Sequence, residues 1–279
     1  SYEFLINECL VRYDYGKTDY KTLVYESLWI NDRLVVSFDR REDTTFEVFL
    51  KGAETLRGIS LDSQLSVLKY VKNNTVLEDN AENEVFYKFF SFVEHMLFFR
   101  SLEDRSYIGQ DKKTGSLVAD IVKNDKVKDF ETFLNEANVS CKLSVVEVMD
   151  DKELAFDFGE KKILFREIMS TGTSSLMLFY CWCLEIIKSN VSFVFIDEFD
   201  AFYHHELSKL VVKKLKESGI QFILTTHNTS IMSNDLMRPD CYFLMNRNKI
   251  LPLSKCTEKE LREAHNIEKI YKAGAFYVE

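Results

Sequence analysis

Proline is nearly absent from this sequence: two in 279 residues, Pro239 and Pro252. Glycine is scarce too, with nine. These shortages argue against a collagen-like repeat, a chain of disordered linkers or a loop-dominated fold. A generally basic surface is lacking as well, since 36 Lys and Arg stand against 45 Asp and Glu, a formal net charge of −9. That balance disfavours a broad nucleic-acid-binding face, although it leaves room for a local patch. The longest apolar run, Leu176 to Leu184, is too short to span a bilayer. Glu3, Asn7 and Glu8 interrupt the opening residues, so no signal peptide is expected and the predicted location is cytoplasmic, without a membrane partner. The cysteines Cys9, Cys141, Cys181, Cys183, Cys241 and Cys256 include no Cys-x-x-Cys pair and read as reduced core thiols rather than a zinc site. Ser1 is not a methionine and enters in mid-strand, which reads as a processed or truncated chain.

What is present is a soluble globular composition, 46% hydrophobic and 29% charged, with length enough for a sizeable core. Residues 2 to 50 hold short apolar runs such as Leu34 to Phe38, separated by turns at Asn31-Asp32 and Arg40-Arg41-Glu42-Asp43. Spacing this short predicts an antiparallel meander. Within it Gly16-Lys17-Thr18 imitates the end of a phosphate-binding loop, G-x-x-x-x-G-K-[ST]. Position 11 is Val where that loop needs Gly, and Asp14 and the tyrosines are bulky or anionic where backbone amides must approach phosphate. It is rejected as such a loop.

Residues 61 to 138 read as helical, through Leu61, Leu65, Leu68 and Val71, then through Phe86, Phe89, Phe90, Val93, Met96 and Leu97. Asp111 to Gly115 reads as a polar loop, and Val118 to Leu134 as one or two further helices. From Cys141 strands return at Leu143 to Val148, Leu154 to Phe158 and Lys162 to Phe165.

Three stretches then carry chemistry. Met169 to Ser175 is a hydroxyl-rich loop opening the apolar helix Leu176 to Ile187, a place where free N–H groups and the helix dipole favour an anion. Phe193-Val194-Phe195-Ile196 runs straight into Asp197-Glu198, as in a buried parallel strand that delivers acids to the carboxyl edge of its sheet. A helix from His204 to Leu215, ending at Gly219, leads to the strand Ile220 to Leu224 and on to Thr225-Thr226-His227-Asn228. Strand–helix–strand at this spacing predicts parallel strands, with His227 at the same sheet edge as Asp197 and Glu198. A hairpin from Cys241 to Leu253 and helices at Glu258–Ala264 and Ile267–Tyr271 complete the reading.

In this order and spacing the three stretches resemble the second half of an ABC-type ATPase, the group of the SMC, Rad50 and RecF-like enzymes. Ile196-Asp197-Glu198, His204, Thr225-Thr226-His227, the tail from Asn266 to Phe276 and the early Tyr25-Glu26-Ser27-Leu28 resemble the prokaryotic AAA-15/AAA-21 group, many of whose members look like abortive-infection or other phage-defence ATPases. The resemblance implies an α/β fold: an ABC-ATPase-like core with a mostly parallel sheet, an N-terminal antiparallel β region and an inserted helical subdomain. Its parts would be residues 1–60, 61–139 and 140–279, the last holding the signature, Walker B and switch-histidine motifs. It implies ATP and Mg²⁺ as cofactors, with Asp197 on the metal, Glu198 polarising the attacking water and His227 on the γ-phosphate. Ser170-Thr171-Gly172-Thr173 would be a divergent signature contacting the ATP of a second copy, and Asp200 would lie in the loop crossing that homodimer interface. An effector nuclease or toxin is the further partner implied.

The departure is the phosphate loop, which none of the nine glycines supplies. The Q-loop glutamine is open between Gln64 and Gln110. The expectation is therefore a C-terminal portion of a longer ATPase that is inactive alone. Two other readings stand beside it: a non-catalytic interaction or regulatory module, and a metal-dependent nuclease using Asp197, Glu198 and Asp200. A metal on the pair His204-His205 is less favoured than a polar helix start.

Overall fold

Alternating apolar residues punctuated by two-residue turns fold the start of the chain into strands, as the computed structural model shows. The structure describes residues 1–42, 45–62, 64–100, 107–108, 117–149, 151–188, 191–201, 205–258, 260–262 and 264–277. These divide into two compact units, Ser1–Glu94 and His95–Glu279. His204, Gln110 and the polar loop Asp111 to Gly115 lie outside the described residues.

In the first unit, β1 (Tyr2–Ile6), β2 (Cys9–Lys17), β3 (Leu23–Ile30), β4 (Arg33–Asp39) and β5 (Glu47–Val48) pair antiparallel in chain order. Asn7-Glu8 and Asn31-Asp32 make the first and third connections with φ of 50°, 64°, 47° and 63°. Positive φ at both residues is what a tight hairpin turn requires if its twist is to match the strands. Two helices, α1 (Val67–Asn74) and α2 (Ala81–Glu94), supply Val67, Leu68, Val71, Val85, Phe86 and Phe89 to a core shared with Val11, Leu28, Val36 and Phe38. Glu26 of β3 is buried there, and its carboxylate accepts from the Tyr13 and Ser66 hydroxyls, both at 2.8 Å, and from Val67 N at 2.6 Å. It thereby fastens the start of α1 to the sheet. Gly16 sits within β2 opposite Tyr25, whose ring would lie 2.3 Å from a Cβ at that position. The glycine makes room for a tyrosine, and its setting in a strand is not that of a phosphate loop.

In the second unit, β6 (Met96–Arg100) and β7 (Tyr107–Ile108) are followed by α3 (Leu117–Lys123) and α4 (Val127–Glu136). Next come β8 (Leu143–Val148), β9 (Asp151–Asp157) and β10 (Lys162–Leu164), a three-stranded antiparallel sheet in the order β10-β9-β8, and then α5 (Phe165–Ile168). The long helix α6 (Thr171–Lys188), β11 (Phe193–Asp197), α7 (His205–Glu217) and β12 (Gln221–Leu224) follow. The chain closes with the hairpin β13 (Phe243–Met245) and β14 (Ile250–Pro252) and with α8 (Ile267–Lys272).

The central sheet runs β12-β11-β6-β7, with β11 parallel to both β12 and β6 and only the edge pair β6-β7 antiparallel. Leu97, Phe99, Val194 and Ile196 point to one face and share a core with Leu176, Phe179, Tyr180 and Trp182 of α6, Phe130 and Phe133 of α4, and Val211, Val212 and Leu215 of α7. Trp182 stacks on Phe99 at 3.8 Å between ring centroids. Burying each of these large side chains stabilises by about 1.5–3 kcal/mol.

Several expectations need correction. Met96 and Leu97, read as the end of an aromatic helix face, begin the strand β6 beside β11. A continuous apolar run such as Met96-Leu97-Phe98-Phe99 has no period that separates helix from strand, and pairing with β11 settles it. Helix α6 starts at Thr171 rather than Leu176, so most of the hydroxyl-rich loop is its first turn. Cys241 ends a 3₁₀ turn from Pro239 instead of opening a strand, and the described residues between Glu258 and Ala264 contain no helix.

Candidate active site

Parallel pairing sets β11 and β12 in register with Ile196 opposite Leu224, so the residues that follow, Asp197 and Thr225, come level at the carboxyl edge. The ladder continues past the strands: Thr225 N donates to Ile196 O at 3.0 Å, and Phe199 N to Thr225 O at 3.1 Å. Between them the chain turns at Glu198, whose φ is +44°. A glutamate in the left-handed region carries strain of order 1–3 kcal/mol, a cost that surrounding contacts must offset. Two such contacts are evident. Glu198 N donates to Thr225 Oγ1 at 2.7 Å, and Ala201 N donates to Glu198 O at 3.1 Å.

The turn has a chemical consequence. In a continuing strand Asp197 and Glu198 would point to opposite faces. Here Asp197 Oδ1 accepts from Thr225 Oγ1 at 2.5 Å, while Glu198 Oε1 stands 3.7 Å from His227 Nε2. Both acids therefore face the end of β12. His227 is 95% exposed and Glu198 34% exposed, so the pair is open to a ligand from solvent. One residue after Thr225, Thr226 Oγ1 donates at 2.5 Å to Oδ1 of Asp200, three residues after Asp197, and accepts from Asn228 N at 2.9 Å. The other oxygen, Asp200 Oδ2, is buried without a hydrogen-bond partner among the described residues. Asn228 ties this loop to α7 through Ser208 Oγ at 3.2 Å and caps the next turn by accepting from Ser230 N.

The four residues Ser170 to Thr173 stand at the amino end of α6. Ser170 is the cap: its Oγ accepts from Thr173 N at 3.1 Å and lies 2.9 Å from Thr173 Oγ1. Ser170 and Thr171 are exposed, Gly172 is half-buried and Thr173 is buried, so the open part of this corner is its first three residues. Ser175 turns its hydroxyl back to Thr171 O at 3.0 Å. Gln64, one of the two Q-loop candidates, lies in the turn before α1, its N–H held by Asp62 Oδ1.

The structure thus brings Asp197, Glu198, Asp200 and His227 to one edge. The hydroxyls of Thr225 and Thr226, which hold three of these residues, carried no role in the sequence reading beyond their place in Thr-Thr-His. Their signal was available: two hydroxyl residues directly after a buried strand, level with two acids on its parallel neighbour. Among the described residues no three His, Cys, Asp or Glu side chains converge as a metal cage. A single carboxylate at a sheet edge instead suits Mg²⁺, which keeps most of its shell for water and phosphate oxygens. The donor set fits a metal that arrives with a nucleotide.

A family model described as "AAA domain, putative AbiEii toxin, Type IV TA system" matches residues 70–233, more than half of the chain. Among solved structures, the SMC head bound to the C-terminal winged-helix domain of ScpA is similar at 17% identity and a TM-score of 0.35. That alignment covers 82% of this chain, and the chain spans 66% of the length of that head. The search of curated proteins found no match. With the acids and the histidine placed at the carboxyl ends of adjacent parallel strands, and the family model covering the strand, helix and strand that lead to them, the chain belongs to the AAA-21 family of AAA domains.

Proposed function

We propose that this chain carries the hydrolytic half of an ATP site. One observation supports the reading most directly: Asp197 and Glu198 share the Thr225 hydroxyl at the carboxyl edge of a parallel sheet, with His227 beside Glu198. In this reading Asp197 is a Walker B aspartate and holds Mg²⁺. Bound there, the ion would neutralise phosphate charge. Glu198 orients and polarises the attacking water, a role worth roughly 10²–10⁴-fold in such steps. His227 reaches the γ-phosphate from its exposed position and, by its contact with Glu198, links that phosphate to the acid. Phosphoryl transfer asks the protein mainly for position and charge, which these groups provide.

Ser170, Thr171 and Gly172 act on the ATP of a second copy, and Asp200 belongs to the loop facing that copy. Pairing driven by ATP then gates an effector, in line with the toxin–antitoxin setting named in the family description. The 279 residues include no glycine-rich phosphate loop, and in the Gly16-Lys17-Thr18 stretch that imitates one, Gly16 and Lys17 belong to β2. We therefore place the phosphate-holding half on polypeptide outside this sequence.

Phosphate release from Mg-ATP tests the reading. The 279 residues alone should give no turnover, and a chain extended with such a loop should turn over, with Glu198→Gln abolishing hydrolysis while retaining ATP. Turnover by the 279 residues that Glu198→Gln removes would overturn the half-site claim. An extended chain that binds no nucleotide would favour the non-catalytic interaction module. The nuclease reading is weaker because Asp200 is engaged by Thr226 and no carboxylate cluster for two metals is seen among the described residues.

A further inference from the structure

Thr225 and Thr226 repeat one pattern. Each donates its single hydroxyl proton to an aspartate, Asp197 at the end of β11 or Asp200 just beyond it, and accepts a backbone N–H on its lone pairs. At Thr225 the backbone amide of Glu198 can only donate to the hydroxyl oxygen, and the hydroxyl proton goes to the Asp197 carboxylate, which accepts. The oxygen–oxygen distance of 2.5 Å to Asp197 is that of a charge-assisted bond. The amide it holds belongs to Glu198, the residue in the left-handed conformation. Thr225 is also anchored through its own backbone, by Ile196 O on one side and Phe199 N on the other. The hydroxyl is thus held from a rigid strand end, two residues before His227.

We propose that Thr225 is the positioning residue of the site: one hydroxyl fixes the Asp197 carboxylate and the Glu198 corner together, and so sets the distance between Glu198 and His227. The inference rests on the ATPase reading for its kinetic consequence, but its geometric consequence is independent of it. Without the hydroxyl, the Glu198 amide loses its acceptor and the corner relaxes toward extended backbone, which turns the carboxylate away from His227. Asp197 loses the Thr225 hydroxyl as a donor at the same time. Thr225 touches neither substrate nor metal in this account; it acts through the two acids.

The test compares Thr225→Val, which keeps the shape, with Thr225→Ser, which keeps the hydroxyl. In the 279-residue chain, amide hydrogen exchange at Glu198 should accelerate in the Val variant and stay near wild type in the Ser variant. In the loop-extended chain, the Val variant should lose about 10–100-fold in kcat, the usual effect of removing an outer-shell partner, with KM for ATP within about threefold. The Ser variant should restore kcat. If Thr225→Val folds poorly by circular dichroism, Thr225→Ala carries the same comparison against Ser. Unchanged exchange and unchanged kcat in the hydroxyl-free variants would overturn the proposal. Accelerated exchange in the hydroxyl-free variants, together with a loop-extended wild-type chain that hydrolyses no ATP, would leave the positioning intact and overturn the ATPase reading instead.

Discussion

At Glu198 the chain adopts φ of +44°, and it does so where the Thr225 hydroxyl waits to receive the amide. A second carboxylate, Glu26, shows the same dependence on donors placed by neighbouring elements. Sheet and helix bury it together, and burial raises its pKa above the ordinary glutamate value of 4.5, with the hydrogen bonds from Ser66, Tyr13 and the α1 amides opposing the shift. The sign of the pH dependence follows. A carboxyl whose folded pKa is raised contributes most below 4.5, and that contribution is lost as pH rises through the folded value. Glu26→Gln removes the titration and sets an NH₂ donor among donors, at a cost of about 1–3 kcal/mol. Urea unfolding of both proteins from pH 4 to pH 8 should show the wild-type advantage shrinking as pH rises; an advantage that grows with pH would contradict the assignment. For neither carboxyl residue were these hydrogen-bond partners legible from its own position, because they lie 27 residues away for Glu198 and 40 or more for Glu26 along α1.

Among the elements, β11 is the one whose character was plainest. Four apolar residues before two acids predict a buried parallel strand, and the strand lies between β12 and β6 with Val194 and Ile196 fully enclosed. Truncating Ile196 to Ala should cost about 2–5 kcal/mol, read by denaturant unfolding of the chain. Loss of under 1 kcal/mol would mean that the enclosed core next to the acids is looser than the packing implies. The neighbour on the other side, β6, was hidden. Its residues continue the aromatic pattern of α2 after a single intervening residue, His95, and local sequence gives no reason to stop the helix there. The strand forms because parallel pairing with β11 satisfies its backbone and the core receives Leu97 and Phe99.

For the molecule as a whole, the proposed pairing of two copies makes a prediction that no single residue makes. If Ser170 serves the ATP held by the partner copy, Ser170→Arg and Glu198→Gln damage opposite halves of a composite site. Each variant of the loop-extended chain should be inactive alone. Mixed together they should recover about a quarter of wild-type turnover, since random pairing makes half the dimers mixed and each mixed dimer keeps one intact site of two. No recovery on mixing would place Ser170 and Glu198 in the same site of one chain. The sequence by itself determined the order of the chemistry: a hydroxyl-rich helix start, an acid-ended strand and a histidine after the next strand, together with the rejection of Gly16-Lys17-Thr18 as a phosphate loop. Those readings rest on local residue types and short periods, which survive without knowledge of neighbours. Tertiary structure alone decided that β6 is a strand, that Glu26 fastens a helix, and that Thr225 holds both acids. Each depends on hydrogen bonds between segments distant in sequence, whose geometry is set only when the sheets and helices close on their cores.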